Sequence, residues 1–120
     1  MTHRYMLTMA SEETDFSKVT SLSQAALLEK NGKLSKMYLI GTEFGGSESG
    51  DNILYVPEYA AQWKKNVDVL LEMLMISGVK VCNYSCKPEY RENSIVPWRI
   101  IVSAENVQGK ALLRDGIMIY

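Results

Sequence analysis

The sequence predicts a single α+β domain over residues 1–120, in which a mainly antiparallel sheet of five or six strands carries two helices on one face. The predicted elements follow the order β-α-β-β-α-β-β-β, and three successive strands at the end favour an antiparallel meander. A chain of 120 residues with 47% hydrophobic and 22% charged residues can form one self-sufficient core. Packing both helices on one face is the simplest way to cover such a sheet.

The first helix has two competing start signals. Asp15 is a candidate N-cap, and Ser21 with Gln24 forms a second candidate as a capping box. The end of the helix is clearer, because Asn31-Gly32 supplies a left-handed cap. Three- and four-residue steps predict one apolar face, made by Phe16, Val19, Leu22 and Ala26.

Six segments are predicted as strands, or seven if the chain turns at Asp115-Gly116. In two of them, four consecutive apolar residues indicate a strand that is covered on both faces. Trp98–Ala104 instead alternates apolar and polar residues, and Asn106–Gly109 is predicted as a turn. Asp115-Gly116 indicates either a two-residue hairpin or a bulge in one strand. The predicted strands are Arg4–Met9, Ser35–Gly41, Ile53–Val56, Val79–Cys86, Trp98–Ala104, Lys110–Arg114 and Ile117–Tyr120.

A long second helix is predicted from Pro57 to Ser77, with Gly78 as its C-cap. Lys64 and Asp68 are spaced to pair across one turn. The apolar face is predicted to hold Tyr59, Trp63, Val67, Leu70 and Leu74, and the polar face Gln62, Lys65, Asp68 and Glu72.

The end of that helix is apolar almost all round from Val69 to Ile76. Such a segment needs cover on more than one side. The first helix, a loop or another protein chain could supply it. If a second copy of this chain does so, the protein is a homodimer.

The most distinctive electrostatic feature is a stretch without lysine or arginine between Met37 and Trp63, which carries Glu43, Glu48 and Asp51 in a glycine-rich loop. This loop is interpreted as a solvated turn, as a docking site for a basic partner, or as a Ca²⁺ or Mg²⁺ site. The spacing of the carboxylates matches no EF-hand, so no metal is predicted. Three flanking carboxylates would repel phosphate from the glycines.

Several functional classes lack the residues that they require. His3 is the only histidine and lies near the amino terminus, so no hydrolase triad or His/Cys zinc site is predicted. The two common phosphate-binding glycine motifs do not occur, and no catalytic residue or cofactor is assigned. A net charge of −1 argues against nucleic acid as a partner. No apolar run is long enough to span a bilayer or to form a signal peptide, so we expect a cytoplasmic protein.

Cys82 and Cys86 lie four residues apart in a predicted strand. Their Cα atoms would then be about 13 Å apart, which is too far for a disulfide or a shared metal ion. They are predicted to be two small thiols on one face of the strand, together with Tyr84.

Stretches in the middle of the chain resemble small uncharacterised bacterial proteins that are encoded beside secreted polymorphic toxins. These stretches are Gly32–Leu39 with Glu43–Gly46, Asn52–Pro57, and Lys87–Tyr90 with Ser94–Pro97. Such proteins are thought of as immunity proteins, which bind and block a cognate toxin. The resemblance covers most of residues 32–104, and it implies a binding surface and no active site.

The sequence therefore favours a non-enzymatic protein that binds another protein, with a toxin that has a basic cleft as the candidate partner. The predicted binding residues are Glu43, Phe44, Glu48, Asp51 and Tyr90, with Tyr55 as a further candidate anchor. The alternative is a small enzyme or ligand-binding domain. It would have a pocket between the long helix and the sheet, lined by Cys82, Tyr84 and Cys86.

Overall fold

A computed structural model of the protein describes residues 14–120. The predicted strand Arg4–Met9 and His3 lie outside the described residues. None of the described helices is long and apolar enough to cross a membrane. The helices are α1 (Leu22–Lys30) and α2 (Glu58–Ile76), the strands are β1 (Ser35–Tyr38), β2 (Ile53–Val56), β3 (Cys82–Glu89), β4 (Arg99–Glu105) and β5 (Ala111–Met118), and single 3₁₀ turns occupy Phe16–Lys18, Thr42–Phe44 and Gly50–Asn52.

The described strands form two antiparallel sheets. β1 and β2 make a two-stranded hairpin, and β3, β4 and β5 make a meander in that order. The α+β class and the meander are therefore confirmed, whereas the single sheet of five or six strands is wrong. The hairpin is short: its ladder runs only from the pair Ser35–Val56 to the pair Tyr38–Ile53. β2 then continues through Pro57 directly into α2. The hairpin consequently packs against α2 and stays unpaired with the meander.

Both predicted start signals near α1 are used, at different turns. Ser21 accepts a hydrogen bond from the Gln24 backbone N–H, and the Gln24 side chain accepts one from the Ser21 N–H. Asp15 caps the preceding 3₁₀ turn instead. Because α1 begins only at Leu22, the predicted apolar face is wrong. Leu22 is 69% exposed, and Ala25 is the buried residue of this helix.

The predicted start of α2 after Pro57 and its end before Gly78 are confirmed. Its predicted apolar face is confirmed at Trp63, Val67 and Leu74, which pack in the core. It is wrong at Tyr59 and Leu70, which are exposed, and Asp68 of the predicted polar face is buried. The small side chains of Ala60 and Ala61 explain the rotation, because they are buried in the core beside the hairpin. The residues buried along the helix are Ala60, Ala61, Lys64, Val67, Asp68 and Leu71.

Two apolar clusters form the core and meet at Trp63 and Cys86. The first joins α1, the hairpin and the beginning of α2, and the second joins the end of α2 to the meander. The predicted alternation of β4 is confirmed, because Ile100, Val102 and Ala104 are fully buried on the side that faces the core. The continuous burial predicted for the first hairpin strand is wrong, since buried Met37 is followed by exposed Tyr38.

β5 is one continuous strand, so of the two alternatives at Asp115-Gly116 the hairpin is wrong and the single strand is confirmed, although its bulge does not lie at Gly116. Asp115 pairs with Val102 and Gly116 with Ile101, and the register shift lies near Glu105. The Asp115 carboxylate accepts a hydrogen bond of 3.1 Å from the Trp63 indole, which ties the strand to α2. The structure therefore uses Asp115 as a contact to the helix.

β3 contains a bulge between Cys82 and Ser85, with Asn83 in the left-handed region at φ 51°. Beyond the bulge Cys86 pairs with buried Val102, whereas Cys82 pairs with Glu105. Residues paired across a ladder share a face, so the two cysteines lie on opposite faces of the strand. The prediction that both share one face is wrong for that reason, and both are free thiols.

We predict that Gly46→Ala destabilises the fold by about 2 kcal/mol or more, because a Cβ at this position would overlap the backbone carbonyl of Ile40. Gly50→Ala in the same loop meets open space and should change the free energy of unfolding by less than about 0.5 kcal/mol. Urea denaturation of the two variants measures the difference. Equal stabilities would show that the loop does not close as described.

Candidate functional site

A buried polar network joins α2 to β3. The Lys64 ammonium donates to both carboxylate oxygens of Asp68, at 3.0 and 2.9 Å, and the Tyr84 hydroxyl donates to Asp68 Oδ1 at 2.6 Å. Lys64 is only 2% exposed and Asp68 is 7% exposed. The ammonium also lies 5.3 Å from the centre of the Tyr84 ring, a distance at which cation–π attraction operates. The network therefore leaves neither buried charge unpaired.

Local sequence explains how the network forms. Lys64 and Asp68 are one helical turn apart, so both side chains lie on the same face of α2. The bulge in β3 turns Tyr84 toward that helix, where it packs with Leu71 and Val67. The sequence predicted the pairing of Lys64 with Asp68 but not its burial. The available signal was the pair of small residues at Ala60 and Ala61.

The acidic loop between β1 and β2 packs against this network at Gly41. Gly41 is buried, and a Cβ there would lie 3.0 Å from Asp68 Oδ2 and against the carboxylate of Glu43. Only glycine therefore lets the loop backbone approach Asp68 so closely. The 3₁₀ turn that follows places Glu43 and Phe44 side by side at the edge of α2.

Asn52 fixes the two ends of the loop together. Its side chain accepts a 2.9 Å hydrogen bond from the Ile40 N–H and donates to the carbonyl oxygens of Ile40 and Ser47 at 2.8 and 2.7 Å. Gly46 donates its own N–H to the Gly41 carbonyl at 3.1 Å. These bonds fix the backbone conformation of the loop, although its glycines alone would allow many conformations.

Glu43 separates two cavities. One cavity, of about 400 Å³, lies between the loop and α2, and three lysines line it together with Glu43 and Asp68. The other, of about 550 Å³, lies between the loop, the end of α2 and β3, and Glu43 is its only charged lining residue. Its other lining residues are Ile40, Phe44, Met75, Val81, Asn83 and Tyr84. We call the second cavity the acidic cavity.

The predicted binding residues are divided between two places. Glu43 and Phe44 line the acidic cavity, where the Phe44 ring meets the Tyr84 ring edge-on at 5.4 Å. Glu48 and Asp51 are exposed farther along the same loop. Tyr90 instead lines a separate cavity of about 340 Å³, together with Tyr55 of β2. Burial is the main reason that the pKa of Tyr90 is raised.

The end of α2 carries five exposed large apolar side chains. Val69, Leu70, Met73 and Ile76 are 51%, 45%, 60% and 81% exposed, and Met75 lines the acidic cavity. The described residues thus cover this segment on one side, at Leu71 and Leu74, and leave its other side exposed. We call these five residues the apolar helix end.

β3 does not form the alternative pocket lined by Cys82, Tyr84 and Cys86, because the two thiols lie on opposite faces of the strand. Burial raises the pKa of the Cys86 thiol to about 11, so this thiol is protonated at neutral pH and is a weak nucleophile. Burial and the hydrogen bond to Asp68 also raise the pKa of Tyr84. Among residues 14–120, no group of three or more His, Cys, Asp or Glu side chains could hold a metal ion.

Comparison with known proteins gives no relative for this chain: no family model matches it, and no curated protein matches it.

Removing one member of the buried ion pair should be costly. We predict that Asp68→Ala destabilises the protein by about 3–5 kcal/mol, because Lys64 would remain charged and unpaired in the core. The double variant Lys64→Met with Asp68→Leu should lose much less. Glu89→Gln breaks the half-exposed Arg99–Glu89 pair and should cost about 1 kcal/mol or less. Similar losses for Asp68→Ala and Glu89→Gln in urea denaturation would contradict the burial of the network.

The Cys86 thiol should make the protein less stable at alkaline pH. Its folded pKa of about 11 lies above the ordinary value of 9.0, so its contribution is complete below pH 9 and is lost as the pH rises from 9 to 11. The loss should be about 2 kcal/mol. We predict a shallower fall of the unfolding free energy over this range for Cys86→Ala than for the matched thiol variant Cys82→Ala. Parallel curves would show that Cys86 ionises as freely in the folded protein as in the unfolded chain.

Proposed function

We propose that this protein is a non-enzymatic domain that binds another protein through a basic and apolar surface of that partner. The observation that supports this proposal most strongly is that the acidic loop and Met75 of the apolar helix end line one cavity, with Glu43 and Phe44 contributed by the loop. A carboxylate and apolar side chains are therefore available at the same cavity.

The apolar helix end supports a partner with an apolar contact surface. Large apolar side chains that are exposed singly are normal, but a contiguous group at one helix end is typical of an interaction site. Met73 and Met75 add flexible side chains that adapt to a partner. Desolvation of this group would supply the favourable free energy of binding.

The acidic loop supports a partner with basic residues. Glu43, Glu48 and Asp51 lie in a stretch that contains no lysine or arginine, and all three are exposed. Three lysines line the neighbouring cavity beside α2, so a basic partner would approach from the side of the acidic cavity. Opposite charges of this kind mainly raise the rate of association and select the partner.

The finer proposal is that the partner is a bacterial toxin and that this chain is its cytoplasmic immunity protein. It rests on the resemblance of residues 32–104 to proteins encoded beside polymorphic toxins. A toxin whose active site is a basic cleft would be blocked when the acidic loop enters that cleft. Tyr90 and Tyr55, which line a separate cavity, are then left outside the principal contact.

Different experiments test the general proposal of a protein partner and the finer proposal of a toxin. A toxin encoded next to this chain would be co-expressed with it, and survival of the cells would report neutralisation. A partner of another kind would form a complex with this chain without any effect on toxicity. Self-association through the apolar helix end would be detected separately, as a dimer in light scattering of the pure protein.

We predict that neutralising the loop with Glu43→Gln, Glu48→Gln and Asp51→Asn slows association with the partner by about 10-fold or more at low salt, because long-range attraction is lost. The difference should shrink as salt is added, since the charges are screened. Surface plasmon resonance at several salt concentrations measures both effects. The control variant, with Glu29→Gln and Glu92→Gln, removes two charges outside the loop. If the loop variant associates at the wild-type rate, the loop is not the docking site.

A further inference from the structure

We propose that the acidic cavity receives an arginine side chain of the partner, which acts as the central anchor of the complex. This inference rests on the proposed function and adds to it the chemistry of one contact. The cavity has apolar walls from Ile40, Met75 and Val81, an aromatic pair at its side, and one carboxylate. A long side chain with an apolar stem and a cationic head fits that combination.

The charge of the cavity favours a cation. Glu43 is its only charged lining residue, and Glu43 takes part in neither of the two ion pairs found among residues 14–120. The nearby carboxylate of Asp68 is already neutralised by Lys64. A cation in the acidic cavity would therefore pair with Glu43, whose charge no ion pair of the described chain compensates.

The polar residues among those that line the cavity favour a ligand that only donates hydrogen bonds. The Asn83 amide nitrogen donates to Glu105 at 2.9 Å, so the side-chain oxygen of Asn83 remains to accept. The Tyr84 hydroxyl donates its proton to Asp68, which leaves its oxygen as an acceptor. Together with the Glu43 carboxylate these groups form a set of acceptors. Guanidinium is the side-chain group with five donors and no acceptor.

The aromatic pair favours arginine over lysine. The Phe44 and Tyr84 rings meet at an interplanar angle of 76°, and both residues line the cavity. A planar guanidinium stacks on an aromatic face while it bonds to a carboxylate in a bidentate manner, which a compact ammonium does not. Arginine is also among the residues that most often dominate the binding free energy at protein interfaces.

The test uses the full chain labelled with ¹⁵N and the capped amino acid N-acetyl-arginine-N-methylamide as the probe. We expect saturable chemical-shift changes at residues 43–44 and 83–84, with a Kd on the order of 1–10 mM for so small a ligand. The capped citrulline analogue has the same shape without the charge, and it should bind at least about 10-fold more weakly. The capped lysine analogue should lie between the two.

Two variants make the test specific. Glu43→Gln should abolish the saturable shifts, whereas Glu29→Gln, which removes a charge outside the loop and the cavity, should leave them unchanged. Equal binding of arginine and citrulline, a response confined to the lysine-lined cavity, or no saturable shift would each overturn the proposal.

The outcome also separates this inference from the proposed function. If the partner associates through the acidic loop but the arginine probe does not bind, the anchor is wrong and the docking surface stands. If the probe binds but neutralising the loop leaves association with the partner unchanged, the docking surface is wrong while the cavity remains a guanidinium site.

Discussion

The buried pair of Lys64 and Asp68 determines how the candidate surface is arranged. Two charges in a core are tolerated only when each is paired, and here the Tyr84 hydroxyl completes the bonding of the carboxylate. The same carboxylate lies against Gly41, so the acidic loop begins where the ion pair is buried. A change in this pair would therefore reach the loop, the end of α2 and β3 together.

The docking surface is a consequence of that packing. α2 turns its small and charged residues inward at Ala60, Ala61 and Lys64, and this rotation brings Leu70 and Met73 to the surface. The loop then closes over the network with Phe44 against Tyr84. Apolar side chains and the Glu43 carboxylate consequently line one cavity, which is the combination expected for a partner that is both basic and apolar.

Local signals in the sequence predicted local structure well. The capping box at Ser21, the glycine caps, Pro57 at the start of α2 and the alternation of β4 all depend on neighbouring residues, and all are confirmed. The errors arose where tertiary contacts decide. The buried face of α2 follows from small residues that admit the hairpin, and Asp115-Gly116 became part of a continuous strand. The bulge that separates Cys82 from Cys86 has no local signal strong enough to predict it. For the candidate site, the sequence identified the acidic loop but not the buried network beneath it.

Hydrogen–deuterium exchange on the complex with the partner tests the central claim most directly. If the acidic loop and the apolar helix end form the docking surface, binding should slow amide exchange in residues 41–46 and 69–76 and leave the region around Tyr90 and β2 unchanged. Slower exchange around Tyr90, Leu22 and Tyr55 without protection of the loop and the helix end would place the partner on the separate cavity that Tyr90 lines and contradict the account.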